Sequence, residues 1–198
     1  MRKIIVSEFI SLDGVFESPG DDGSSFKHAG WTMPYGNDEF MKFKAEELFS
    51  SGALLLGAVT YDGFAKAWPT MKGAGEFGER MNSLPKYVVS TKLKEASWNN
   101  STIISKNVAE EISKLKATEG QDILVFGSGV LVQTLIQNNL IDEIRLLVYP
   151  IILGSGKRFF QEEDIAKLQL LEARAFKTGV VLLRHRFITQ QDREQRLR

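Results

Sequence analysis

The sequence predicts an α/β fold: a mixed, mostly parallel central sheet with helices on both faces, closed by a C-terminal antiparallel hairpin. Three observations carry this prediction. Apolar strand-length runs alternate with helix-periodic segments, the pattern of parallel strands joined by crossover helices. The run Ile123-Leu124-Val125-Phe126-Gly127-Ser128-Gly129-Val130-Leu131 passes from a buried strand through two glycines into a helix. Near the end, residues 168–176 and 180–188 are strand-like segments joined by Lys177-Thr178-Gly179, which reads as a hairpin.

In chain order, residues 4–10 form a buried strand that ends at Ser11-Leu12-Asp13-Gly14. Residues 16–36 hold Pro19, Gly20, Gly23, Gly30 and Pro34 and read as a long loop. Loops of that length in a domain are usually functional or disordered. The aromatics Phe16, Phe26, Trp31 and Tyr35 favour a packed or ligand-covering one. Asn37 caps a helix through Phe49, closed by Gly52. Residues 53–56 are a short strand ending at Gly57, and Thr60 caps a helix over 61–67 that stops before Pro69. A short helix over 73–82, strands over 87–89 and 101–104, and a helix over 108–117 capped by Asn107 follow. The strand at Ile123 leads into a helix over 130–137, then a strand over 144–148 and a glycine-rich bend over 150–156. No repeat or composition shift divides the chain, so residues 1–189 read as one domain and 190–198 as a polar tail.

Bulk properties narrow the function. Lys+Arg and Asp+Glu both total 25, which gives no long-range attraction to nucleic acid or an anionic membrane. The absence of cysteine excludes disulfides, thiolate metal sites and cysteine catalysis, and fits the cytoplasm. Glu8 and Asp13 interrupt the first apolar stretch, so it cannot act as a signal core, and no later run reaches bilayer length. His28 and His185 have no ligand-spaced partners, so a metal site is not expected. No nucleophile elbow is present.

What remains is a set of strand-end turns. A strand that turns through Gly127-Ser128-Gly129 into a helix aims backbone N–H groups at whatever occupies the strand end, and phosphate suits them. The third glycine of a dinucleotide fingerprint is replaced by Val132, so a plain tight turn stands beside the phosphate reading. Gly57-Ala58-Val59-Thr60-Tyr61 makes a second such junction, a structural cap or a phosphate seat. Ser90-Thr91-Lys92 places two hydroxyls and an ammonium beyond a strand, suited to a phosphomonoester or to a solvated turn. Gly154-Ser155-Gly156-Lys157 lacks the spacing of an NTPase loop and is a bend beside a ligand or a hairpin-like turn. Asp13 could relay a proton, hold a substrate amine or ribose hydroxyl, or close an Asx turn.

Taken together, Ile10-Ser11-Leu12-Asp13-Gly14, Leu56-Gly57 through Thr60-Tyr61, Lys86-Tyr87-Val88-Val89-Ser90, Phe126-Gly127-Ser128-Gly129, Pro150 through Gly156 and Phe159-Phe160 carry a resemblance. In order and spacing the chain resembles the dihydrofolate reductase-like superfamily, specifically the reductase domain of the bacterial bifunctional riboflavin-biosynthesis deaminase/reductase. The resemblance implies a three-layer fold, a homodimer, and NADPH-dependent reduction of a small molecule. It implies cofactor contacts at Gly57, Thr60, Ser90, Thr91, Gly127, Ser128, Gly129, Val130 and Leu131. It implies a substrate side formed by Leu12, Asp13, Gly14, Trp31 and Gly154, with Asp13 as the catalytic candidate. In the riboflavin enzyme hydride goes to ribose C1 of a phosphoribosylaminopyrimidine; in dihydrofolate reductase it goes to pterin C6. Three departures are visible. Ala58 stands where the family often has a basic residue, with Lys92 or Arg80 as possible substitutes. The deaminase half has no counterpart, and the pterin-facing carboxylate has only Asp38 and Glu39 as candidates. The expectation is an NADPH-dependent reductase, with a pterin or folate reductase, an inactive nucleotide-binding dimer and a purely structural homodimer as alternatives.

Overall fold

Ile4, Val6, Leu54, Leu55, Leu56, Ile123, Leu124 and Val125 have no solvent exposure. Continuous apolar runs of this kind are what strands covered on both faces require. In the computed structural model, which describes residues 1–160 and 166–188, they lie in one eight-stranded sheet. The strands are β1 (Ile4–Ser11), β2 (Ser51–Gly57), β3 (Lys86–Val89), β4 (Ser101–Ile104), β5 (Asp122–Phe126), β6 (Glu143–Tyr149), β7 (Leu168–Ala175) and β8 (Val181–Phe187). Their order is β4-β3-β2-β5-β1-β6-β8-β7. The first six run parallel, while β8 is antiparallel to β6 and to β7.

Helices α1 (Asp38–Phe49), α2 (Ala58–Ala67), α3 (Gly75–Ser83), α4 (Val108–Ala117) and α5 (Gly129–Gln137) complete the three layers. Side chains alternate across each strand, so β1 divides its residues between two cores. Ile4, Val6 and Ile10 pack with Ile112 and Leu115 of α4 and Leu131, Val132 and Leu135 of α5. Ile5 packs with Leu48 of α1, Tyr61 of α2 and Met81 of α3. A third cluster packs Phe40 and Phe43 of α1 and Trp31 against Leu147, Tyr149 and Leu182.

Several local expectations are corrected. Gly52 does not close α1; it lies inside β2, and Ser50 is the C-cap. Thr60 is not an N-cap, because α2 starts at Ala58 with Gly57 in the cap position. Asn107 makes no capping hydrogen bond, since its φ of 48° is left-handed rather than the extended conformation from which a cap side chain reaches back. Asn37 is extended and its side chain accepts from the Phe40 N–H, as a cap should. The 190–198 tail lies outside the described residues.

Candidate cofactor and substrate site

Parallel strands with crossover helices deliver their connecting loops to one edge of the sheet, and sites in such sheets form where the strand order reverses. Here β5 returns between β2 and β1, and β6 lies on the far side of β1. The turns after β1, β2, β5 and β6 therefore converge. They carry Asp13, Gly57, Gly127 and Gly154.

The turns after β2 and β5 are joined by one hydroxyl. Ser128 Oγ accepts from the Gly57 N–H at 2.8 Å and donates to Thr60 Oγ1 at 2.7 Å. A Cβ on Gly57 would stand 2.7 Å from that oxygen, so this approach requires glycine. Ser128 itself has φ 73° and makes no cap within its own helix. Its hydroxyl therefore serves the neighbouring turn and not the start of α5. The result sets the N-termini of α2 and α5 side by side, with their first-turn N–H groups facing the same edge. Gly127, with φ 61°, lets the turn pass close to its neighbours: a Cβ there would crowd Thr60 Oγ1 at 3.2 Å, with Glu8 Oε2 at 3.9 Å.

The turns after β1 and β6 are joined by Asp13. Its carboxylate accepts from Ser11 Oγ at 2.6 Å, from the Leu153 N–H at 3.1 Å and from the Gly154 N–H at 2.9 Å. Arg158 donates to the Asp13 carbonyl at 2.7 Å. The Ser11 hydroxyl, followed by the two backbone donors, holds the carboxyl down to about 2. An ionised Asp13 ties the two loops together and is poorly suited to donate a proton.

Around this edge stand four exposed apolar side chains: Leu12 after β1, Val59 after β2, Val130 after β5 and Ile152 after β6. Leu131, next to Val130, is buried and anchors α5. Trp31 is buried, edge-on to Tyr149 at 5.1 Å, with Nε1 donating to the Glu17 carbonyl. It packs the loop onto the sheet. Ser90 Oγ accepts from the N–H groups of Lys92 and Leu93, closing the turn after β3, while Thr91 is exposed beside it. Arg80 does not stand in for the residue lost at Ala58. It donates to the Ser51 carbonyl at the start of β2, the end opposite the site. A groove between β4 and α4, lined by Tyr87, Ile104, Lys106 and Glu111, contains none of these turns.

Buried carboxylates escaped the sequence reading, Glu47 and Glu8 beside the sheet centre among them. Glu47 of α1 faces the sheet, bound to Lys44 at 2.6 Å, to Arg145 at 3.1 Å and to Ser7 Oγ at 3.0 Å. Glu8 lies on the opposite face of β1, 3% exposed; its Oε1 accepts from the Phe9 N–H and its Oε2 has no partner. Burial raises its carboxyl to about 8, against the smaller opposing pull of the Phe9 N–H and Lys44. A glutamate inside an apolar strand was the available signal, and it looks the same in sequence whether the group is solvated or buried.

The family model described as RibD C-terminal domain matches residues 2–182. The uncharacterized protein YyaP of Bacillus subtilis (strain 168) is 30% identical over 184 residues, spanning 91% of this chain and 92% of that protein. A riboflavin biosynthesis protein from Shewanella sp. PV-4 superposes with a TM-score of 0.66 at 20% identity, over 93% of this chain and 98% of that one. A pyrimidine reductase-like protein from Corynebacterium diphtheriae gives 0.63 at 12% identity, over 96% and 93%. Dihydrofolate reductase from Enterococcus faecalis, solved with NADP(H), gives 0.60 at 14% identity, over 94% and 97%. These three likenesses show a shared dihydrofolate reductase-like fold.

Proposed function

Because the chain belongs to the RibD C-terminal domain family, we propose that it is a reductase using NADPH to reduce a small heterocyclic or ribosylaminopyrimidine substrate. The observation that carries this reading is the Ser128 junction, which holds two helix N-termini together at the ends of β2 and β5. That is a seat for a diphosphate. The backbone from Gly127 to Leu131 and the first turn of α2 would hold it, with Val59 and Val130 giving apolar contact. Ser90 accepts through its oxygen, which leaves its proton available, with Thr91, for a terminal phosphomonoester. NADPH, when bound, supplies the hydride. Asp13, Gly14 and Gly154 set the substrate side, where the ionised carboxylate keeps the two loops at a fixed separation. Fixing distance and excluding water are the protein's main contributions to hydride transfer. Asp13 orients the substrate in this reading.

A pterin substrate calls for a carboxylate of α1 that faces the heterocycle. Glu47 is committed to Lys44 and Arg145, while Asp38 and Glu39 are exposed at the helix start. We therefore favour the aminopyrimidine class. Titration with NADPH and with NADH, followed by nicotinamide fluorescence, tests the proposal. Micromolar or tighter binding of NADPH, clearly stronger than NADH, is expected; a folded protein that binds neither overturns it.

A further inference from the structure

We infer that Phe16 is an internal plug: its ring sits on the N-terminal end of α5, and the cofactor's diphosphate binds there only by displacing it. This rests on the cofactor reading above and adds to it a self-inhibitory contact.

Three observations converge. The first is that α5 begins with unmet donors. The Val132 N–H is the first to find an acceptor, the Ser128 carbonyl at 3.0 Å, while the Ser128 hydroxyl serves the neighbouring turn. Among the described residues, the N–H groups of Gly129, Val130 and Leu131 have no acceptor. The second is that an apolar group stands beside them. The Phe16 ring points end-on at Gly129, whose Cβ position lies 2.5 Å from Cζ and 3.1 Å from both Cε atoms. Glycine lets a ligand approach the backbone closely, and here the protein's own ring makes that approach. The hydrocarbon tip of a phenyl ring offers these donors no lone pair, whereas a phosphate oxygen does.

The third is that the strap carrying Phe16 is firmly held while its ring is not. The Phe16 N–H donates to the Lys157 carbonyl at 3.0 Å, and the Phe159 N–H donates to the Gly14 carbonyl at 2.9 Å. Phe159 has no exposure, and its carbonyl accepts from Gln133 of α5 at 2.8 Å. The Phe16 ring is only half-buried and rests edge-on against Phe159, with 5.7 Å between centroids. Rotation about χ1 swings it away from Gly129 while the strap keeps its place.

The sign of a truncation separates a plug from a wall. A side chain that shapes or touches the bound cofactor loses affinity when shortened; one that competes with it gains. Titration of wild type, Phe16→Ala and Phe16→Leu with NADPH, followed by nicotinamide fluorescence, reads this sign. Phe16→Ala is expected to bind at least about fivefold more tightly, because a seat open about a fifth of the time weakens apparent affinity by that factor. Phe16→Leu lacks the ring tip but keeps an apolar side chain in the strap. It should gain in the same direction, and it carries the test if Phe16→Ala does not fold. Both variants should melt at a lower temperature than wild type, opposite in sign to their affinity. ADP-ribose, which has the diphosphate and no nicotinamide, should gain by the same factor when measured by displacement of NADPH. Unchanged or weaker NADPH binding by the folded variants overturns the inference and leaves the cofactor reading standing. A gain for NADPH that ADP-ribose does not share overturns the plug at the diphosphate. Absence of NADPH binding by all three proteins removes the cofactor reading and this inference together.

Discussion

A carboxyl group sealed inside a sheet makes stability depend on pH. The folded chain holds the Glu8 proton to about 8, whereas the free side chain releases it near 4.5. Between those values the folded state binds more protons than the unfolded one, so stability falls as pH rises through that window. At about 1.4 kcal/mol per pH unit, the total is on the order of 4–5 kcal/mol. Glu8→Gln should therefore be more stable than wild type at pH 9 and lose less stability between pH 5 and 8. Chemical denaturation at several pH values checks this, and parallel curves for the two proteins would refute it. Asp13 has the opposite sign. Its carboxyl is depressed to about 2, so its contribution is present above its unfolded value of 3.8 and disappears as pH falls through about 2. Asp13→Asn keeps one acceptor oxygen for two loop N–H groups and should slow turnover at neutral pH more than it weakens NADPH binding. Equal losses in both would place Asp13 on the cofactor side.

At the scale of elements, the Ser128 hydroxyl is the joint between the turns after β2 and β5, on which the proposed nucleotide seat depends. Ser128→Ala leaves the Gly57 N–H without its acceptor, which costs about 1–3 kcal/mol for a buried donor, and lets α2 and α5 separate. Thr60→Val removes only the acceptor of the Ser128 proton. Ser128→Ala should thus lower the melting temperature and NADPH affinity more than Thr60→Val; the reverse order would show that Thr60 holds the joint. The joint also marks the limit of what sequence reveals about elements. Strand, turn and helix at 123–137 were legible because apolar periodicity and glycine placement are local properties. The partner of Ser128 was not, because Gly57 is 71 residues away and meets it only through the pairing of β2 with β5. The same limit explains the failed caps at Thr60 and Asn107. Residue type suggested a cap, but the backbone angle decides whether the side chain reaches the helix, and that angle is set by tertiary packing.

At the scale of the whole molecule, alternating strands and helices announced a parallel sheet, but nothing local announced that β5 inserts between β2 and β1. That insertion brings the site turns together. Another long-range feature is equally silent in the sequence. Lys44, Glu47, Arg145, Glu143, Arg184 and Glu172 form a chain of ion pairs of alternating sign from α1 across β6 and β8 to β7, where Arg174 also pairs with Glu172. These residues span positions 44 to 184, and a net charge of zero conceals how they are matched. The α1 end is buried: the Lys44 and Glu47 side chains are 8% and 1% exposed, against 74% and 66% for the Lys66–Asp62 pair of α2. Burial decides the energetics. Removing one partner of a buried pair strands the other charge, at about 3–5 kcal/mol, whereas an exposed pair contributes about 0–1 kcal/mol. Lys44→Met should therefore destabilise the fold far more than Lys66→Met. The double variant Lys44→Met/Glu47→Leu should recover much of the loss, because it removes the stranded carboxylate along with its partner, while Arg145 keeps Glu143. Urea denaturation of the four proteins checks this order. A Lys44→Met cost no larger than that of Lys66→Met would mean that the buried end of the network is solvated in solution and does not join α1 to the sheet.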